Sequence, residues 1–197
     1  MRIVVIGAGA VGASIGARLA ATGNAVSLVD RWRDHVEAIS ANGLQALGVP
    51  HRIEIRVPAM LPDAAPSGQD LALIAVDANA TKDAAAIAAR ALGPTGFAVT
   101  VQNGIGNVEA HTDVLGPERV IGGATMCSFR TVGPGVVEQT NLAQTVIGEL
   151  DGRMEGRVAV LAELLLAAGY PTRVTPTSWV RSGRSWSSTS PSTRSAV

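Results

Sequence analysis

Ile3-Val4-Val5-Ile6-Gly7-Ala8-Gly9-Ala10-Val11-Gly12 opens the chain, an apolar run passing directly into a G-x-G-x-x-G turn. A short apolar run bounded by glycine reads as a buried strand, and the small residues over 10–22 read as a helix. The three glycines have separate physical tasks. Gly7 turns the chain tightly, Gly9 lets the backbone approach a pyrophosphate, and Gly12 lets helix and strand pack closely. The helix N-terminus offers unbonded N–H groups and the positive end of its dipole to phosphate. Gly7, Ala8, Gly9, Ala10, Val11 and Gly12 are therefore candidate dinucleotide-binding residues. A second strand at Ala25–Val29 leads into Asp30, close to the roughly 20-residue spacing at which a carboxylate takes a ribose hydroxyl. Two other readings share parts of this pattern. One is a structural glycine-rich turn beside an incidental acid. The other is a methyltransferase-type fold, which also pairs a glycine-rich first turn with an acid ending its second strand; Gly12 fits the dinucleotide pattern better.

Outward from this junction, apolar runs alternate with helical ones, as in a parallel sheet covered on both faces. The pattern predicts a helix at Arg33–Asn42 stopped by Gly43, short strands over 44–49 and 52–57, and a proline-containing surface loop over 58–68. A strand over 70–76, a helix over 80–92 and a strand over 97–101 follow. Gln102-Asn103-Gly104-Ile105-Gly106 comes at the carboxyl end of that strand, where open α/β sheets place ligands. Glycine-separated β-type pieces over 119–121, 125–131, 136–140 and 145–148 predict an antiparallel extension. A helix over 155–168, stopped by Gly169, and a strand over 172–175 complete the pattern. The expected class is α/β: a Rossmann-type, doubly wound, mostly parallel sheet with a short antiparallel extension.

The 197 residues suffice for one domain with a proper core, and with 47% hydrophobic but only 3% aromatic residues it must be built from Ala, Val, Leu and Ile. The formal charge is zero, which gives no sign of a nucleic-acid or membrane partner. No apolar stretch reaches the roughly 18 residues that span a bilayer, and the opening run is too short for a signal peptide, so a cytoplasmic location is expected. Cys127 is the sole cysteine, which excludes an internal disulfide and a cysteine-based zinc cluster and reads as a buried small hydrophobe.

Residues 177–197 form a Ser/Thr/Arg-rich stretch without acidic residues or a periodic apolar face, expected to be a disordered tail outside a folded domain of 1–176. Of the chain's 16 basic residues, Arg181, Arg184 and Arg194 lie there, leaving 13 basic against 16 acidic residues, a net −3, in the body. Trp179 and Trp186 are too few for a base-stacking platform, so nucleic-acid binding is not expected.

On the glycine turn, the strand leading into Asp30-Arg31, and the Gln102-Asn103-Gly104-Ile105-Gly106 segment, the chain resembles the ketopantoate reductase (2-dehydropantoate 2-reductase) family over about residues 1–176. The second motif is the more discriminating. The resemblance implies NADPH-linked reduction of the keto acid ketopantoate to pantoate, a step toward pantothenate and coenzyme A. It also implies a two-domain fold whose C-terminal helical domain, missing from this chain, closes over the substrate. Carried over by position, Gly7 to Gly12 would hold the pyrophosphate and Arg31 the 2′-phosphate of NADP. Asn103 would reach the nicotinamide ribose and the substrate, and Ser128 would line the nicotinamide pocket. Each has a plainer alternative: Arg31 as a solvated charge at a helix entrance, and Asn103-Gly104 as a turn pair.

Three departures from the family matter. Asp30 repels a 2′-phosphate and prefers a free 2′-hydroxyl, which keeps NAD open as the cofactor. Asp77 stands where many members have a lysine near the cofactor. The family's catalytic lysine, general acid and electrostatic stabiliser for the keto oxygen, belongs to the C-terminal domain, whereas Lys82, the sole lysine here, reads as a surface residue. No catalytic residue is assigned. For suitable codons, restoring one G after Pro176 gives a frame containing Trp-Glu-Lys-Leu with asparagines downstream, which resembles the family's lysine-bearing helix. An out-of-frame tail is the expectation. Truncation would expose a surface that the helical domain covers, favouring self-association. Two other functions stay open: a dehydrogenase of another 2-keto or 2-hydroxy acid, and a non-catalytic NAD(P)-binding module.

Overall fold

In the computed structural model, which describes residues 1–102 and 106–176, the opening apolar run is strand β1 (Arg2–Ile6). Its side chains divide between two cores: Ile3 and Val5 enter one, Val4 and Ile6 the other. A strand buried on both faces needs continuous rather than alternating hydrophobicity, which explains its composition.

After helix α1 (Ala10–Ala21), strand β2 (Ala25–Val29), helix α2 (Arg33–Asn42), and strands β3 (Leu44–Gly48) and β4 (Ile53–Ile55), the two-residue strand β5 (Ala59–Met60) adds to the edge of β2. The chain then crosses to β6 (Gln69–Ile74), α3 (Thr81–Ala91), β7 (Leu92–Thr100), α4 (Asn107–Leu115) and β8 (Val120–Thr125). Strands β9 (Ser128–Gly133), β10 (Val136–Asn141) and β11 (Thr145–Glu149), helix α5 (Arg157–Ala167) and strand β12 (Thr172–Val174) finish the described chain.

The main sheet has the order β12-β11-β8-β7-β6-β1-β2-β5. All its pairings are parallel except β11 with β8, so the doubly wound class is as expected. The strand order reverses between β1 and β6, and open α/β sheets take ligands outside the carboxyl ends of the strands at such a switch point. Helices α1, α2 and α5 contribute Leu19, Ile39 and Leu161 to one core, and α3 and α4 contribute Ala88 and Val108 to the other.

The glycine-separated strand pieces do not form one extension. β11 and β12 widen the main sheet, while β9 and β10 join β3 and β4 in a second sheet of order β4-β3-β10-β9. Helix α1 contacts this second sheet as well as the main one, so Gly12 through Leu19 are all buried instead of showing one apolar stripe. The 58–68 loop contains β5, and α4 is an element the sequence pattern did not indicate.

Arg18, only 2% exposed, ties α1 to the small sheet. Its guanidinium donates to the carbonyls of Val49 (2.6 Å) and His51 (3.1 Å) and to Gln139 Oε1 (3.3 Å). Tyr170 Oη also donates to Gln139 Oε1. Arg18→Leu removes the donor and leaves those oxygens unpaired. We expect a loss of about 2–4 kcal/mol of unfolding free energy, read from urea denaturation.

Candidate functional site

The glycine turn lies at the switch point, and each glycine meets a different constraint. Gly7 has φ +90°, a conformation that L side chains rarely adopt, and donates its N–H to Val29 O (2.9 Å), binding the turn to the end of β2. A methyl on Gly7 would press into Val76 Cγ1 and the Ala75 backbone, at 2.7 and 2.8 Å. A methyl on Gly12 would fall onto the Gly7 carbonyl. One on Gly9 would meet nothing within 4 Å, so the turn is closed toward the protein at Gly7 and Gly12 and open at Gly9. Gly9 is the N-cap of α1, and its carbonyl accepts from Ala13 N–H (2.9 Å). The first N–H groups of a helix have no intrahelical acceptor and are available to an anion. The cradle therefore fits the pyrophosphate of a dinucleotide.

Asp30 follows β2 directly. Its Oδ1 accepts the Trp32 N–H at 2.9 Å, while its own N–H donates to Met60 O of β5. Small edge strand β5 thus fixes the backbone from which the carboxylate projects. Arg31 is exposed and forms no ion pair among the described residues.

A polar network joins the ends of β6 and β7 to helices α3 and α4. Gln102 Nε2 donates to Val76 O (2.9 Å) and Thr81 Oγ1 (3.0 Å), which turns Oε1 toward Thr100 Oγ1 (3.0 Å) and His111 Nε2 (2.9 Å). Since Oε1 only accepts, His111 carries its proton on Nε2. Its Nδ1 is buried without a partner, and burial lowers the His111 pKa to about 4. Gln102 heads the 102–106 segment singled out in the sequence, whereas nothing in the sequence pattern marks Thr81 and His111 as its partners.

With this geometry in place, residues 3–152 match the family described as Ketopantoate reductase PanE/ApbA. The chain belongs to the ketopantoate reductase family. It is 35% identical over 176 residues to the 2-dehydropantoate 2-reductase of Pyrococcus horikoshii, covering 89% of this chain and 56% of that protein. The Halobacterium salinarum 2-dehydropantoate 2-reductase is 30% identical, with 89% and 58% covered. Among solved structures, 2-dehydropantoate 2-reductase from Geobacter metallireducens superposes with a TM-score of 0.81 at 30% identity, covering 89% of this chain and 58% of that one. A D-mandelate dehydrogenase solved with NADH and anilino(oxo)acetate gives a TM-score of 0.83 at 26% identity, covering 90% and 57%. The chain thus spans little more than half the length of the relatives it matches.

Within this ketopantoate reductase fold, Gly7 to Gly12, Asp30 and Arg31 gather where β1 and β2 end, linked by the bond from Gly7 to Val29. Ser128 is exposed and begins β9 in the second sheet, opposite Asn141. Asp77 is exposed after β6, and Lys82 is exposed in the first turn of α3. Asn103 lies outside the described residues, as does everything from 177 onward. No helix among the described residues is long and apolar enough to cross a membrane.

Two measurements test this geometry. Gly12→Ala should lose about 2–4 kcal/mol of stability through its clash with the Gly7 carbonyl. Gly9→Ala should change stability by less than about 1 kcal/mol yet weaken dinucleotide binding at least about tenfold, because its methyl occupies the open approach. Thermal melting and nucleotide titration separate the two. For His111 the unfolded chain takes up a proton near pH 6.5 and the folded chain only near pH 4, so stability should fall as pH drops through that window and level off below it. The loss attributable to this group is at most about 3 kcal/mol. Urea midpoints measured against pH should show it in the unsubstituted chain and not in His111→Leu.

Proposed function

We propose that residues 1–176 are the nucleotide-binding domain of an NADPH-dependent oxidoreductase of the 2-dehydropantoate 2-reductase type, whose reaction takes ketopantoate to pantoate. The observation carrying this reading is the glycine turn, packed against its surroundings at Gly7 and Gly12 and open at Gly9, at the switch point of a ketopantoate reductase fold. When bound, the nicotinamide supplies a hydride to the keto carbon. The protein's part is binding and orientation. N–H groups at the start of α1 hold the pyrophosphate, Arg31 takes the 2′-phosphate, and Asn103 serves the nicotinamide ribose and the keto acid. The absence of an Arg31 ion pair among the described residues supports NADPH, because the guanidinium is available to a phosphate, while one Asp30 oxygen is engaged by the Trp32 N–H. Lys82, the sole lysine of the sequence, is exposed on α3 and is given no part in the chemistry.

The likeness to D-mandelate dehydrogenase supports a second reading within the same chemistry, in which the substrate is another 2-keto or 2-hydroxy acid. Asp30 likewise supports NADH as the alternative nucleotide. A non-catalytic module would show the binding without ketopantoate-dependent oxidation of the nucleotide in any longer form of the protein.

Side-by-side calorimetric titration with NADPH and NADH is the direct test. NADPH should bind more tightly, and Arg31→Ala should weaken NADPH by about ten- to a hundredfold, the size of a lost charge-assisted contact, while leaving NADH nearly unchanged. Tighter NADH binding that depends on Asp30 would reverse the cofactor assignment. Binding of neither nucleotide would overturn the reading.

A further inference from the structure

His35 is fully buried near the start of α2, yet it holds two polar contacts with parts of the chain far from it in sequence. Its Nδ1 accepts the Gly135 N–H (3.0 Å) from the turn between β9 and β10, and its Nε2 lies 2.9 Å from the Ala8 carbonyl inside the glycine turn. An amide N–H can only donate, so Nδ1 is the unprotonated nitrogen and Nε2–H donates to Ala8. The Trp32 ring stacks on the imidazole, centroids 5.0 Å apart and planes 9° from parallel, directly after Asp30 and Arg31.

The Ala8 carbonyl belongs to the peptide whose other end is the Gly9 N–H. In a trans peptide these two groups point in opposite directions, so holding the oxygen toward His35 directs the Gly9 N–H away from it. Gly9 is also the residue whose lack of a side chain leaves the phosphate approach open, and the same lack makes its φ easy to rotate. An unrestrained Ala8–Gly9 peptide could flip and present a carbonyl oxygen where a donor is needed. A carbonyl dipole facing a phosphate is repulsive.

Resting on the nucleotide-binding reading above, we propose that His35 is a positioning residue for the pyrophosphate. It locks the Ala8–Gly9 peptide in its donor-outward orientation and braces it against the Gly135 turn of the small sheet. The role is selective: it concerns the pyrophosphate and not the adenosine end of the ligand. It assigns the small sheet a part in cofactor binding, because the brace on Nδ1 comes from there.

The test compares ADP-ribose, which carries a pyrophosphate, with adenosine 2′-monophosphate, which does not. His35→Phe keeps an aromatic ring beneath Trp32 and removes both polar contacts. His35→Gln offers an amide nitrogen at about the depth of Nε2. His35→Phe should weaken ADP-ribose by about tenfold, the worth of a hydrogen bond or two, and leave adenosine 2′-monophosphate within about twofold. His35→Gln should recover most of the loss. Unchanged ADP-ribose affinity, or equal weakening of both ligands, would overturn the proposal, the second outcome being that of a merely structural residue. Ring ¹⁵N shifts of His35 in the unsubstituted chain give a readout independent of how the variants fold. They should report a proton on Nε2 and move with ADP-ribose but not with adenosine 2′-monophosphate; a proton on Nδ1, or no movement, contradicts the inference. If the unsubstituted chain binds neither ligand, the nucleotide-binding reading fails with it, whereas failure of this inference alone leaves wild-type binding intact.

Discussion

Everything in this molecule depends on how closely α1 approaches the turn it grows from. With a hydrogen at position 12 the helix can start against the Gly7 carbonyl and run over β1 and β2, where Gly16 lies close to Val5 and Leu28. That approach brings the helix N-terminus to the switch point and aligns the first N–H groups with the crevice. It also makes α1 thin enough to lie between two sheets. A bulkier residue at position 12 would tilt the helix, and the small sheet resting on its far side would have to move as well.

The parts of the fold set by local sequence were legible. β1 reads as a doubly buried strand because Ile3 to Ile6 are continuously apolar. α2 begins and ends where the pattern places it, since Gly43 at φ +86° gives the helix a natural stop. Helix α4 was hidden by its composition. Asn107-Val108-Glu109-Ala110-His111-Thr112-Asp113-Val114-Leu115 carries few strong apolar anchors, and one of its inward positions is a histidine. Strand β5 was hidden because two residues within a proline-containing loop carry no period.

The candidate site divides along the same line. The glycine turn and Asp30-Arg31 are contiguous motifs, so spacing alone located them. Gln102, His111 and His35 are identified by partners distant in sequence. Gly135 lies 100 residues from His35, and nothing near His35 in the chain indicates that its ring will be buried. A histidine in a polar helix reads as a surface residue until its acceptors and donors arrive from elsewhere in the fold.

The pairing of β3 with β10 has a consequence for how the molecule is assembled. Gln45 lies beside Val136, 91 positions later. During synthesis the β3–β4 hairpin, with its exposed ladder edge, must wait through the making of most of the main sheet before its neighbour leaves the ribosome. A two-stranded hairpin by itself is marginal in water, and an unpaired edge is a template for other chains. The interval between residues 55 and 136 is therefore a period in which a nascent chain is exposed to mispairing, and slow translation across it would lengthen that exposure.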